Sequence, residues 1–210
     1  MPLQNRVTPF GDIVATPERG TLFGNRGGRF HDPATRSLAK RRFASRRWIC
    51  CELRFKDRRR AVFGKGYTEL FFLDEATALA AGHRPCFECR RAEAVSFREA
   101  FALGNRLEAS PLADEMDRRL HAERRSPRPA IDDWRSLPDG AMVAQGTGAS
   151  LVLSGALLPW TPAGYLPASN LPRMPLFLLT PPAIVAALRA GYSPRLHPSA
   201  REAHRTSVSR

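Results

Sequence analysis

Between residues 46 and 72 the apolar positions follow a period of two, which a helix cannot use. In "WICCELRF" Ile49, Cys51, Leu53 and Phe55 fall on one face of an extended strand, and Trp48, Cys50, Glu52 and Arg54 fall on the other. A second β-like run, "YTELFF", follows beyond the polar "KDRRR", so the pattern predicts an antiparallel hairpin with an arginine-rich turn. Upstream, "DIVAT" and "TLFGNR" read as short extended pieces interrupted by proline and by the pair Gly27 and Gly28, with no helix.

The period then changes. "LDEATALAAGHRP" predicts a short helix with Asp74 as N-cap, ending at Ala81, with Gly82 in the left-handed position after it and Pro85 as a stop. Ala94, Phe97 and Phe101 form a stripe at helical spacing that ends near Gly104, and Leu112, Met116 and Leu120 recur every fourth residue. "SPRPAIDDWRSLPDG" carries turn formers without a period and is read as a linker over 126–139. Beyond it "AMVAQ", "SLVLSG", "ALLPW" and "LFLLT" are short apolar runs of a small sheet, "PPAIVAALRAG" is a helix that Gly191 ends, and the tail 196–210 is expected to be disordered.

These elements predict an α+β fold. A small zinc-stabilised N-terminal module (1–125, a hairpin plus helices) is followed by a β-rich part (140–195) with a terminal helix. Hydrophobic residues make up 43% of the 210, enough to build a core without disulfide staples. The N-terminus has no basic segment leading into an apolar one, and no run approaches eighteen apolar residues, so the sequence reads as soluble and cytoplasmic, with no membrane partner.

Charge sharpens this picture. Residues 1–60 hold fifteen Lys or Arg against five Asp or Glu, a net +10 of the chain's +13, and arginines outnumber lysines thirty to three. A clustered arginine excess suits phosphate recognition and makes nucleic acid the expected partner, through Arg41, Arg42, Arg46, Arg47, Arg58, Arg59, Arg60, Arg84, Arg90 and Arg91.

In a reducing compartment the four cysteines, at 50, 51, 86 and 89, are metal ligands or reactive thiols rather than a disulfide framework. Cys86 and Cys89 in "PCFEC" have the spacing that lets two thiolates converge on one tetrahedral zinc. A redox C-x-x-C would open a helix directly after a strand, whereas here a predicted helix precedes it. Alternation along the strand favours Cys51 over Cys50 as a third ligand. The fourth is assigned to His31 in "GGRFHD", with an all-cysteine site that also uses Cys50 as the alternative.

The segment "FFLDEATALAAGHRPCFECRR", about twenty residues, resembles the second half of the Ada-type methylphosphotriester-repair zinc domain. The chain also resembles a family of bacterial proteins that share "YTELFFLDEATALAAGHRPC". The Ada-type resemblance implies that Cys86 and Cys89 are two of four zinc ligands, and that thiolate-based alkyl transfer is the alternative to a nucleic-acid-binding role. Adjacent Cys50 and Cys51 stand where that family has Cys-x-x-x-Cys, which removes its nucleophile position. A third reading, a hydrolytic centre from His121, Glu123, Asp132, Asp133 and Asp139, has no ligand spacing behind it. Trp160 and Tyr165 in "PWTPAGY" are a further candidate surface.

Overall fold

The structure is a computed structural model that describes residues 1–58, 61–168 and 175–208. Two six-stranded sheets carry it. In spatial order the first runs Ile13–Ala15, Gln4–Val7, Leu70–Phe72, Leu22–Arg26, Trp48–Cys51 and Arg84–Pro85. The second runs Gly164–Tyr165, Ala156–Thr161, Gly148–Leu153, Met142–Gln145, Leu176–Leu178 and Ala130–Ile131, antiparallel throughout.

The fold is mixed α and β, as the patterning predicts, but the expected hairpin does not form. Trp48–Cys51 and Leu70–Phe72 lie on opposite sides of Leu22–Arg26 and both pair with it antiparallel. The inserted strand is buried at every position, so it takes the centre that a local hairpin would have closed over. The second run begins its strand at Leu70, and the first stops at Cys51, leaving Leu53 exposed.

Five helices are described: α1 (Glu75–Ala80), α2 (Arg91–Gly104), α3 (Ala113–Arg125), α4 (Pro182–Arg189) and α5 (Pro198–Val208). α1 is only six residues long and buries all of them, which its run of small side chains permits. Asp74 caps it, accepting from the Thr77 N–H at 2.9 Å. Gly82 follows at φ +77°, where a Cβ would also meet the Arg124 side chain at 2.6 Å, so glycine is required twice over. α2 buries Ala94, Phe97, Ala100 and Phe101, the expected stripe, and α3 buries Met116 and Leu120 while Leu112 stays exposed at its N-cap.

The segment 126–139 is not a divider between two cores. It contributes the strand Ala130–Ile131 to the second sheet and buries Trp134. One apolar cluster joins Leu79, Phe97, Phe101, Met116 and Leu120 to Val143, Val152, Leu176, Ile184 and Leu188 across it. The tail is also ordered to Val208: α5 sets Ala200 and Ala203 against the second sheet, and the Ser207 hydroxyl accepts from the Ala168 N–H at 2.8 Å. The signal was a stripe of small residues, Ala200, Ala203 and Ser207, in a segment whose charges alone suggest disorder.

Polar burial ties the C-terminal part of the chain to the start of α1. Glu75 accepts from Arg90 at 2.9 and 2.8 Å, from the Tyr192 hydroxyl at 2.5 Å and from the Arg195 N–H at 2.9 Å. Asp74 accepts from the Tyr165 hydroxyl at 2.9 Å and the His197 N–H at 3.0 Å. Burial pushes the Asp74 carboxyl above its ordinary range, against the pull of these donors. Trp160, too, is internal in its bonding: its indole N–H donates to Thr77 at 3.1 Å. Of the two aromatics of "PWTPAGY", Tyr165 is buried and Trp160 is half-buried.

Candidate metal centre

Cys51 ends its strand opposite Phe23, and the neighbouring parallel strand Arg84–Pro85 delivers the chain into the turn that holds Cys86 and Cys89. The Cys86 N–H donates to the Cys50 carbonyl at 3.0 Å, which locks that turn against the strand. The sulphurs of Cys51, Cys86 and Cys89 consequently lie within 4.8 Å of one another. Three thiolates at Zn–S distances of about 2.3 Å around a tetrahedral ion sit about 3.8 Å apart, so the cluster closes on a metal with small side-chain movements. It rests on an apolar floor of Phe23, Ile49 and Phe71.

Without a metal the three groups share protons unequally. Contacts with Cys51, and next with Cys89, pull the Cys86 thiol well down, helped by the Glu88 N–H that donates to its sulphur at 3.4 Å. Cys51 is held up by its contacts with Cys86 and Cys89 and by burial. Cys89 is raised on balance: the Cys51 contact lowers it, while the Cys86 contact and burial outweigh that pull.

Cys50 is not part of the cluster. Its side chain faces the opposite side of the strand, buried among Leu22, Leu70 and Phe72, and accepts from Arg90 at 3.3 Å. His31 is committed elsewhere: Nδ1 meets the Thr68 hydroxyl at 2.7 Å, Nε2 meets the Gly64 carbonyl at 2.8 Å, and the ring stacks on Phe63 at 4.7 Å. The structure therefore supplies neither proposed fourth ligand.

The ten arginines divide by environment. Arg84 is buried and paired with Asp117 at 2.8 Å, and Arg90 is buried and paired with Glu75, so both belong to the interior and cannot face phosphates. Arg46 is engaged by Asp114 at 2.7 Å and Arg58 by Glu88. Arg59 and Arg60 lie outside the described residues. Arg41, Arg42, Arg47 and Arg91 are exposed. The composition could not separate these classes, because the acidic partners of Arg46, Arg58 and Arg84 are thirty or more residues away and that of Arg90 is on another element.

The carboxylate set of the third reading is not gathered. Among the described residues the cysteine trio is the one group with metal-binding geometry. Glu123 instead accepts from the Ala183 N–H at 3.0 Å, Asp133 caps a short 3-10 turn, and Asp139 accepts from the Ser154 N–H at 2.7 Å.

Two cavities flank this region. One of about 600 Å³ is bordered by Phe10, Trp48, Arg124 and Arg128. The guanidinium groups of Arg26 and Arg124 both lie over the Trp48 ring there, at 4.0 and 4.2 Å from its centroid. The other, about 680 Å³, is bordered by all three clustered cysteines together with Arg47, Arg58, Lys65, Tyr67 and Glu69. The chemistry belongs to the second. No described helix is long and apolar enough to cross a membrane. Compared with protein-family models, curated proteins and solved structures, the chain gave no match.

Proposed function

We propose that this chain is a zinc-binding protein whose Cys51, Cys86 and Cys89 centre fixes a cationic face that contacts nucleic acid. The convergence of the three sulphurs carries the reading. Sulphur-rich donor sets favour zinc over hard cations such as magnesium or calcium, and a C-x-x-C turn joined to a strand cysteine is a common way to present it. The local resemblance to the Ada-type domain supports the same metal.

The nucleic-acid part rests on the net +10 of residues 1–60 and on the exposed Arg41, Arg42, Arg47 and Arg91. With about four phosphate contacts, the logarithm of the binding constant for duplex DNA falls with the logarithm of salt at a slope near −3.6, and Arg41→Ala, Arg42→Ala and Arg47→Ala together flatten it by up to about three. A flat profile, or no binding at low salt, removes the nucleic-acid part and leaves the metal centre standing.

Cys89, the most accessible of the three cysteines, favours a second reading in which a metal-bound thiolate accepts an alkyl group. The sulphur forms the S–C bond while the alkylated oxygen of the phosphotriester leaves with the electron pair as a phosphodiester anion. A gain of one methyl mass after incubation with methylated DNA supports it; an unchanged intact mass with DNA bound excludes it.

A further inference from the structure

Three sulphurs leave a tetrahedral zinc one ligand short. Among the described residues no further Cys, His, Asp or Glu atom joins the three sulphurs within 4.8 Å, and the residues outside the description include none of these types. Cys50 faces away. His31 is bonded at both nitrogens, His83 is buried with Nε2 accepting from Arg26 at 3.4 Å, and His197 Nδ1 meets the Ser199 hydroxyl at 2.8 Å. The carboxylates nearest in sequence to the cysteines are engaged as well: Glu52 by Arg195 at 2.8 and 3.0 Å, and Glu88 by Arg58.

We infer that the fourth position opens onto the 680 Å³ cavity and is taken there by a small thiol that carries a second, acidic group. This rests on the metal-centre reading above. All three ligand cysteines border the cavity, so an added donor reaches the metal from it. Its volume lies in the range of small-molecule sites, roughly 300–1,000 Å³. Four sulphurs make one of the closed tetrahedral sets that zinc adopts, so a thiol entering from the cavity completes the shell in place of water. The charge follows from the walls. Arg58 is matched by Glu88, while Arg47 and Lys65, which form no ion pair among the described residues, outnumber the one remaining carboxylate of the wall, Glu69, which accepts from the Phe63 N–H at 2.8 Å. The net positive charge that remains on the wall suits an anionic tail on the bound thiol.

The test uses the full chain loaded with cobalt(II) in place of zinc, titrated with 2-mercaptoethanesulfonate and, separately, with neutral 2-mercaptoethanol, followed by the visible cobalt bands. The sulfonate thiol is expected to shift the bands at a concentration about tenfold lower than the neutral one. Arg47→Ala combined with Lys65→Ala is expected to keep one cobalt per chain and to erase that difference. Bands that respond to neither thiol mean that the fourth ligand comes from within the chain, which overturns the inference while the metal centre stands. Equal affinity for both thiols overturns the anionic class of ligand. Failure to bind cobalt or zinc at all overturns the metal-centre reading itself.

Discussion

The segment 71–91 builds two polar clusters that behave in opposite ways. At the start of α1, Asp74 and Glu75 are buried but fully answered: hydroxyls, backbone N–H groups and a guanidinium meet both carboxylates. Eleven and fourteen residues past Glu75, Cys86 and Cys89 join Cys51 in a cluster of three sulphurs. The first cluster is complete within the chain and holds the first sheet to the C-terminal helices. The second becomes electrostatically reasonable as three thiolates only when a metal enters. Buried polar groups that find their partners are architecture; sulphurs that converge chiefly on one another mark a site.

The sharpest way to break the comparison is at the answered cluster. Glu75→Ala strands Arg90, whose side chain is 0% exposed and whose other carboxylate contacts, Glu52 at 3.3 Å and Glu93 at 3.7 Å, are longer. Removing one partner of a buried pair costs about 3–5 kcal/mol, so urea denaturation should show a loss of that size with or without metal. A loss below about 1 kcal/mol would mean that the clamp does not hold α1 to the C-terminal part.

The unanswered cluster should respond to metal instead. With free zinc at about a hundredfold over Kd, binding to the native state adds about 2.7 kcal/mol, which a chelator removes. Thermal denaturation with and without chelator measures it, and the Cys51→Ser variant should show no difference between the two conditions.

His83 gives a smaller effect. It lies between Trp48 and Phe72, at ring distances of 5.0 and 4.7 Å, and burial, then Arg26 and Arg124, hold it well below its ordinary pKa, so it is neutral in the fold. A depressed folded-state value contributes stability that is complete above the unfolded value of about 6.5 and declines as pH falls below it. Stability should drop by up to about 1.4 kcal/mol between pH 6.5 and 5.5, and His83→Gln, which retains an acceptor for Arg26, should flatten that slope. An unchanged slope would assign the titration to another group.

Local order accounts for what the sequence reveals here. Asp74 as a cap, Gly82 as a terminator, the stripes of α2 and α3 and the choice of Cys51 over Cys50 all follow from periodicity within one element. The central placement of Leu22–Arg26 does not, because it is decided by pairing partners that are tens of residues apart. Nor could periodicity tell Arg84 and Arg90 from a surface arginine, since Asp117 and Glu75 reach them only in the folded chain. His31 looked available in sequence, and it is Thr68 and Gly64, more than thirty residues on, that commit it.

The central claim is the three-sulphur centre, and metal content tests it most directly. Elemental analysis of the chain purified without chelator should give about one zinc per molecule. Cys51→Ser, Cys86→Ser and Cys89→Ser should each lose most of it, and Cys50→Ser should retain it. Less than about a tenth of an equivalent in the wild type, or loss of metal in Cys50→Ser with retention in Cys51→Ser, would contradict the account.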